Sequence, residues 1–116
     1  YNATALAAAM AMHKGYTYAP NENTYWKQGK QGEHNFIFTT TNYIYGEYLD
    51  KLNAEMEEGE TLLVCCQAYG KECAKRYKHI RVQKIPDILF GRCEFGKDNY
   101  DLNVIISEIS EDDEQN

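Results

Sequence analysis

The sequence lacks the features that would assign it to several large classes at once. No apolar run approaches the roughly 20 residues of a membrane-spanning helix. The longest, Ala5–Met12, is mostly alanine, and the next, Leu62–Cys66, has the length of a strand. The alanine-rich start has neither the basic segment nor the bulky apolar stretch of a secretion signal. A cytoplasmic protein is expected, with no membrane partner. There is no Cys-x2-Cys pair among Cys65, Cys66, Cys73 and Cys93. The spacing fits no small disulfide scaffold, and buried free thiols are expected. A zinc site on Cys73, His79 and Cys93 would need spacing unlike that of compact structural sites.

Glycine is also scarce where phosphate chemistry would need it. A dinucleotide loop uses Gly-x-Gly-x-x-Gly between strand and helix, so that backbone can approach the pyrophosphate. Thr41–Gly46 and Gln67–Lys71 each hold one glycine, and no Walker lysine pattern occurs. Nucleophilic catalysis has little support. Cys65 and Cys66 lie in an apolar run, which raises a thiol pKa. Cys73 is the one candidate reactive thiol, and His13, His34 and His79 are scattered. A metal-dependent nuclease would read Asp87, Glu94 and Lys97 as its carboxylates and lysine. Glu94 and Lys97 are three apart, however, which on a strand puts them on opposite faces.

The chain has 116 residues and a formal net charge of −6. The acidity is local. Glu108, Glu111, Asp112, Asp113 and Glu114 crowd the last nine residues, and no Lys or Arg follows Lys97. Residues 1–107 read as one α/β domain with a net charge of −1, and residues 108–116 as an acidic, disordered tail. Opening at Tyr1 without a methionine, the chain reads as part of something longer.

Within that domain, residues 3–14 are helix formers, with Asn2 as cap and Gly15 as stop. Residues 16–20 and 24–28 read as a hairpin, followed by a flexible Gly29–Gly32 loop. Three β-rich runs follow: 35–40, 61–66 and 79–85. A helix over 44–57, capped by Thr41 or Asn42, separates the first two. A short helix over 71–77 separates the second and third. This β-α-β-α-β order predicts a short, mainly parallel sheet flanked by helices. Another short helix starts after Pro86, and Val104–Ile106 is a candidate edge strand.

The strongest chemical signal is charge of one sign. Residues 71–84 hold Lys71, Lys75, Arg76, Lys78, Arg81 and Lys84 against the single acid Glu72, a local charge of +5. Tyr69 and Tyr77 interleave with them. Cations beside aromatic rings suit phosphate neutralisation, so these six residues form the candidate nucleic-acid surface, with Lys30 as an outlier. A lysine-rich face that only confers solubility is the competing explanation.

Two stretches carry a resemblance. One runs from Gly15-Tyr-Thr-Tyr-Ala-Pro20 through Tyr25-Trp26, Gly29 and Glu33 to Phe36-Ile-Phe-Thr-Thr-Thr41. The other comprises Leu62–Tyr69, Ile80–Pro86 and Leu89–Asp98, then Tyr100 and Leu102-Asn103. Both resemble the C-terminal region of large bacterial site-specific DNA methyltransferases of type III-like restriction–modification systems. The resemblance implies a parent enzyme that methylates adenine N6 with S-adenosylmethionine. The family's Asp-Pro-Pro-Tyr-type loop and Phe-x-Gly-x-Gly-type turn are missing: the two prolines stand in Ala19-Pro20-Asn21 and Ile85-Pro86-Asp87. No catalytic or cofactor residue therefore carries over. The resemblance implies a non-catalytic accessory domain, without cofactor, contacting DNA, the rest of the enzyme or a restriction subunit. The alternative is a structural or protein-interaction module with no nucleic-acid role.

Overall fold

In a computed structural model that describes residues 2–92, the chain runs through a helix, three strands, a second helix, a fourth strand, a 3₁₀ turn, a fifth strand and a third helix. Cys93, Glu94, Lys97, the Val104–Ile106 strand candidate and the acidic tail lie outside the described residues.

Helix α1 spans Ala3–His13. The Asn2 side chain accepts from the Thr4 and Ala5 amides at 3.0 and 3.1 Å, satisfying two donors that a helix start leaves open. Gly15 turns the chain at φ +81°, a conformation that side chains disfavour. Leu6 and Met10 are buried, and so are Ala7, Ala8, Ala9 and Ala11. The small alanines let the helix backbone lie close to the sheet.

The sheet has the order β1-β2-β3-β4-β5, and it is mixed. Strands β1 (Thr17–Tyr18), β2 (Gly29–Gln31) and β3 (Asn35–Thr39) pair antiparallel. Strands β3, β4 (Thr61–Cys66) and β5 (Ile80–Lys84) pair parallel. The expected parallel core is present, but a mainly parallel sheet is only half of what forms. The antiparallel half comes from the hairpin, whose returning strand differs from the sequence reading. Thr17 pairs with Lys30 and Tyr18 with Gly29, so the expected flexible loop supplies the strand. Residues 27 and 28 only extend the pairing, through Asn21 N–H to Lys27 O and Ala19 N–H to Gln28 O. Gly29 permits this by having no side chain. A Cβ there would lie 2.8 Å from Ile37 Cγ2 and 2.9 Å from Thr17 O.

Strand pleating divides β4 between two cores. Leu63 and Cys65 face α1, together with Ile37, Ile85 and Leu89. Leu62, Val64 and Cys66 face the other side, with Phe36, Phe38 and Ile80. Full burial of each large aliphatic side chain there contributes about 1.5–3 kcal/mol. Two-sided burial explains the unbroken apolar run in β4. Ile85 follows β5 on the α1 side, and helix α3 (Asp87–Arg92) brings Leu89 into the same core. Gly91 falls within that helix.

Helix α2 (Gly46–Glu55) buries Leu49 and Leu52 on the second face. Neither Thr41 nor Asn42 caps it. Tyr45 holds the cap position without a side-chain bond, and the Gly46 N–H donates instead to Glu72 Oε2 at 3.1 Å. The 71–77 helix shrinks to a 3₁₀ turn over Lys71–Cys73. Its bonds span three residues: Cys73 N–H to Gly70 O, then Ala74 N–H to Lys71 O. Trp26 is fully buried in the same core, edge-on to Phe36 at 6.1 Å. Lys27 Nζ lies over both rings and pairs with Glu60 at 2.9 Å. Burial opposes charge at Glu60, but the Glu57 amide and Lys27 prevail and lower its pKa.

Candidate nucleic-acid interface

All six cations of the 71–84 stretch are exposed, but the fold does not display them as one strip. Lys71 opens the 3₁₀ turn, and Lys75, Arg76 and Lys78 occupy the connection to β5. On β5 the pleat sends Lys84 to the side of Ile80 and Val82, and Arg81 to the opposite side. What reunites three of them is the free edge of the sheet. Among the described residues β5 pairs only with β4, and a shallow groove of about 510 Å³ runs along it. Lys75, Lys78 and Arg81 line this groove, over a floor of Tyr77, Ile80 and Val82. Among the described residues no carboxylate lines it. An open trough with cations on its rim and a ring in its floor can hold an extended anionic backbone.

Arg76 is committed elsewhere. Its Nε and Nη2 both donate to the Asp50 carboxylate at 2.8 Å, a planar fork. The Tyr77 hydroxyl donates to the same carboxylate at 2.6 Å. The Arg76 and Tyr77 hydrogen bonds hold the Asp50 pKa down at about 2. Asp50 in turn raises the pKa of Arg76 and Tyr77. The pair is part-exposed, so its main effect is positional: it ties α2 to the segment that carries Lys75 and Lys78. Next to it, His79 Nε2 and Asn53 Oδ1 lie 2.6 Å apart, a second tie between α2 and the start of β5.

Cys65, Cys66 and Cys73 are buried free thiols. Burial pushes the Cys65 pKa up to about 12 and the Cys66 pKa to about 11. Burial, followed by the Glu72 charge, raises that of Cys73, whose Sγ donates to Ile44 O at 3.6 Å. The basic neighbours that made Cys73 a candidate nucleophile in the sequence do not prevail over its burial. Cys73 and His79 each have other partners, and Cys93 lies outside the described residues. Among the described residues no group of three or more His, Cys, Asp and Glu side chains is placed to hold a metal ion. Asp87 opens helix α3, while its suggested partners Glu94 and Lys97 also lie outside the described residues. No described helix is long and apolar enough to cross a membrane.

The sequence did not point to Gln83 or to the apolar floor of the groove. The alternation of apolar and polar residues in Ile80-Arg-Val-Gln-Lys84 was the available sign of a strand with one open side. Lys30 is exposed on β2, near the opposite edge from β5. Comparison with protein-family models, curated proteins and solved structures gives no match.

Proposed function

We propose that this chain is a non-catalytic accessory domain of a restriction–modification adenine-N6 DNA methyltransferase, and that it engages DNA along β5. The observation that carries the DNA half is the groove itself: Lys75, Lys78 and Arg81 converge there, with no carboxylate lining it among the described residues. The methyltransferase parent rests on the sequence resemblance alone. S-adenosylmethionine belongs to that parent, and no residue here is assigned to it. Lys71 and Lys84 lie outside the groove lining, and Arg76 supports the groove through Asp50.

The test is fluorescence anisotropy of a labelled duplex with the 116-residue chain across a salt series. Three groove cations give a log–log salt slope of about −2.7, a loss of about 40-fold between about 50 and about 200 mM salt. Neutralising Lys75, Lys78 and Arg81 to Gln together should abolish that slope, while Arg76→Gln should leave most of it. Absence of binding at low salt, or binding unchanged in the triple variant, refutes the DNA role and leaves contact with the enzyme or restriction subunit. The isolated chain should transfer no methyl group to DNA from S-adenosylmethionine, and detectable transfer refutes the accessory assignment.

A further inference from the structure

A second concavity lies at the carboxyl end of β3, where parallel sheets commonly place ligands. It is about 360 Å³ and has a different character from the β5 groove. Its polar lining comes from the Thr39–Asn42 segment, Gln28, Tyr25 and Tyr48, and its apolar wall from Leu6 and Phe38. Among the described residues no Lys, Arg, His, Asp or Glu lines it. An anionic or cationic ligand would find no counter-charge.

The polar groups are held in place. The Thr39 N–H donates to Gln28 Oε1 at 2.7 Å, which fixes that amide and directs its NH2 away from the strand. The Asn42 N–H donates to Thr40 Oγ1 at 3.1 Å, so the Thr40 hydroxyl hydrogen is left to donate elsewhere. The Asn42 side chain is exposed at the rim. Thr39 is 7% exposed, and its side chain interacts with the Cys65 thiol of the neighbouring strand.

Aromatic rings collect at the same end of the molecule. Tyr25 packs edge-on against Phe38 at 5.6 Å yet remains 49% exposed. Tyr45 meets Tyr48 edge-on at 6.0 Å and is 45% exposed. Exposed tyrosine faces beside amides and hydroxyls match a flat, uncharged ring with donors and acceptors on its edge. Side-chain amides pair with such edges through two adjacent hydrogen bonds, and aromatic faces stack on them.

We propose that the Tyr25–Asn42 pocket binds an unpaired nucleobase, stacked on tyrosine and read by Asn42 and Gln28. The inference stands apart from the DNA reading of β5, because the two sites share no residue. With no cation in the lining among the described residues, recognition stops at the base, and a phosphate on the ligand adds nothing.

The experiment is an NMR titration of the full chain with adenosine, adenosine monophosphate and methyl glucoside. Both nucleoside forms should give saturable shifts at residues 39–42 with equal affinity. Methyl glucoside should give none. Asn42→Ala should weaken binding by about tenfold or more, with the far-UV circular dichroism unchanged. The Lys75, Lys78 and Arg81 to Gln variant should bind adenosine as wild type does, even where duplex binding is lost. Absent shifts, equal binding of the glucoside, full affinity in Asn42→Ala or loss in the β5 variant would each overturn the proposal.

Discussion

Replacing Gly29 by alanine tests the sheet where sequence and structure part. As a residue of a flexible loop, Gly29 would accept alanine and gain about 0.4–1 kcal/mol through a less disordered unfolded chain. In the fold it is a strand residue enclosed on several sides. A Cβ would stand 2.8 Å from Ile37 Cγ2, 2.9 Å from Thr17 O and 3.3 Å from Ala11 Cβ. Ile37 is 1% exposed and cannot rotate into solvent. Thr17 O is backbone of the neighbouring strand, so relief there opens the β1–β2 pairing. Overpacking of this kind costs about 1–3 kcal/mol, which outweighs the entropic gain. A net loss of about 1–2 kcal/mol is expected, or about 4–15 °C in Tm for a domain of this size. Urea unfolding followed by Trp26 fluorescence measures it well, because Trp26 is the single tryptophan and is fully buried. Ile37→Ala in the Gly29→Ala background should cost less than in wild type, with a coupling of about 0.5–3 kcal/mol. Wild-type stability in Gly29→Ala, or strict additivity of the pair, would refute the enclosed strand.

Two further outcomes follow from the ionisable groups. The Asp50 pKa is depressed in the fold to about 2, so its contribution is complete above the ordinary carboxylate range and is lost as pH falls from about 4 towards 2. Acid unfolding curves of wild type and Asp50→Asn should therefore converge at the low end of that window; a constant gap down to pH 2 would show that the Arg76 fork is not what Asp50 contributes. Cys65, Cys66 and Cys73 are buried and their thiols are held protonated, so peptide mapping after iodoacetamide at pH 8 should find them unmodified in folded protein and modified in urea. Rapid labelling of Cys73 in the folded chain would restore it as a candidate nucleophile.

What could be read from the sequence was whatever depends on neighbours along the chain. The Asn2 cap, the α1 stop at Gly15 and the apolar runs of β3, β4 and β5 are local patterns, and each stands where it was expected. Cys65 and Cys66 fall on opposite faces because strand pleating allows nothing else. The misreadings depend on distant partners. Gly29 looks like a loop residue until Ile37, Thr17 and Ala11 surround it. The α2 cap comes from Glu72, 26 residues downstream, so no pattern at Thr41 or Asn42 could disclose it. The basic stretch was visible as composition, but its division was not. Arg76 turns to Asp50, and the pleat separates Arg81 from Lys84. The β3-end pocket had a faint sign, Thr39-Thr-Thr-Asn42 at a strand end followed by Tyr43, Tyr45 and Tyr48. Its meaning depended on Tyr25 and Gln28 arriving from the hairpin.

The Glu72 cap also sets an order of events during synthesis. The first turn of α2 leaves the ribosome before the carboxylate that satisfies it. Ile44, just ahead of the helix, depends on later residues too: its N–H donates to Ala68 O, its carbonyl accepts from Gly70 N–H, and Tyr69 forms a bridge with it. A nascent chain that ends within β4 therefore carries α2 with a frayed start and an unanchored approach. Only when residues 68–73 emerge are the helix start and its approach held, and the basic segment is tied to α2 later still, by Arg76. A truncation between Cys66 and Cys73 would leave α2 poorly seated, even though every residue of the helix is present.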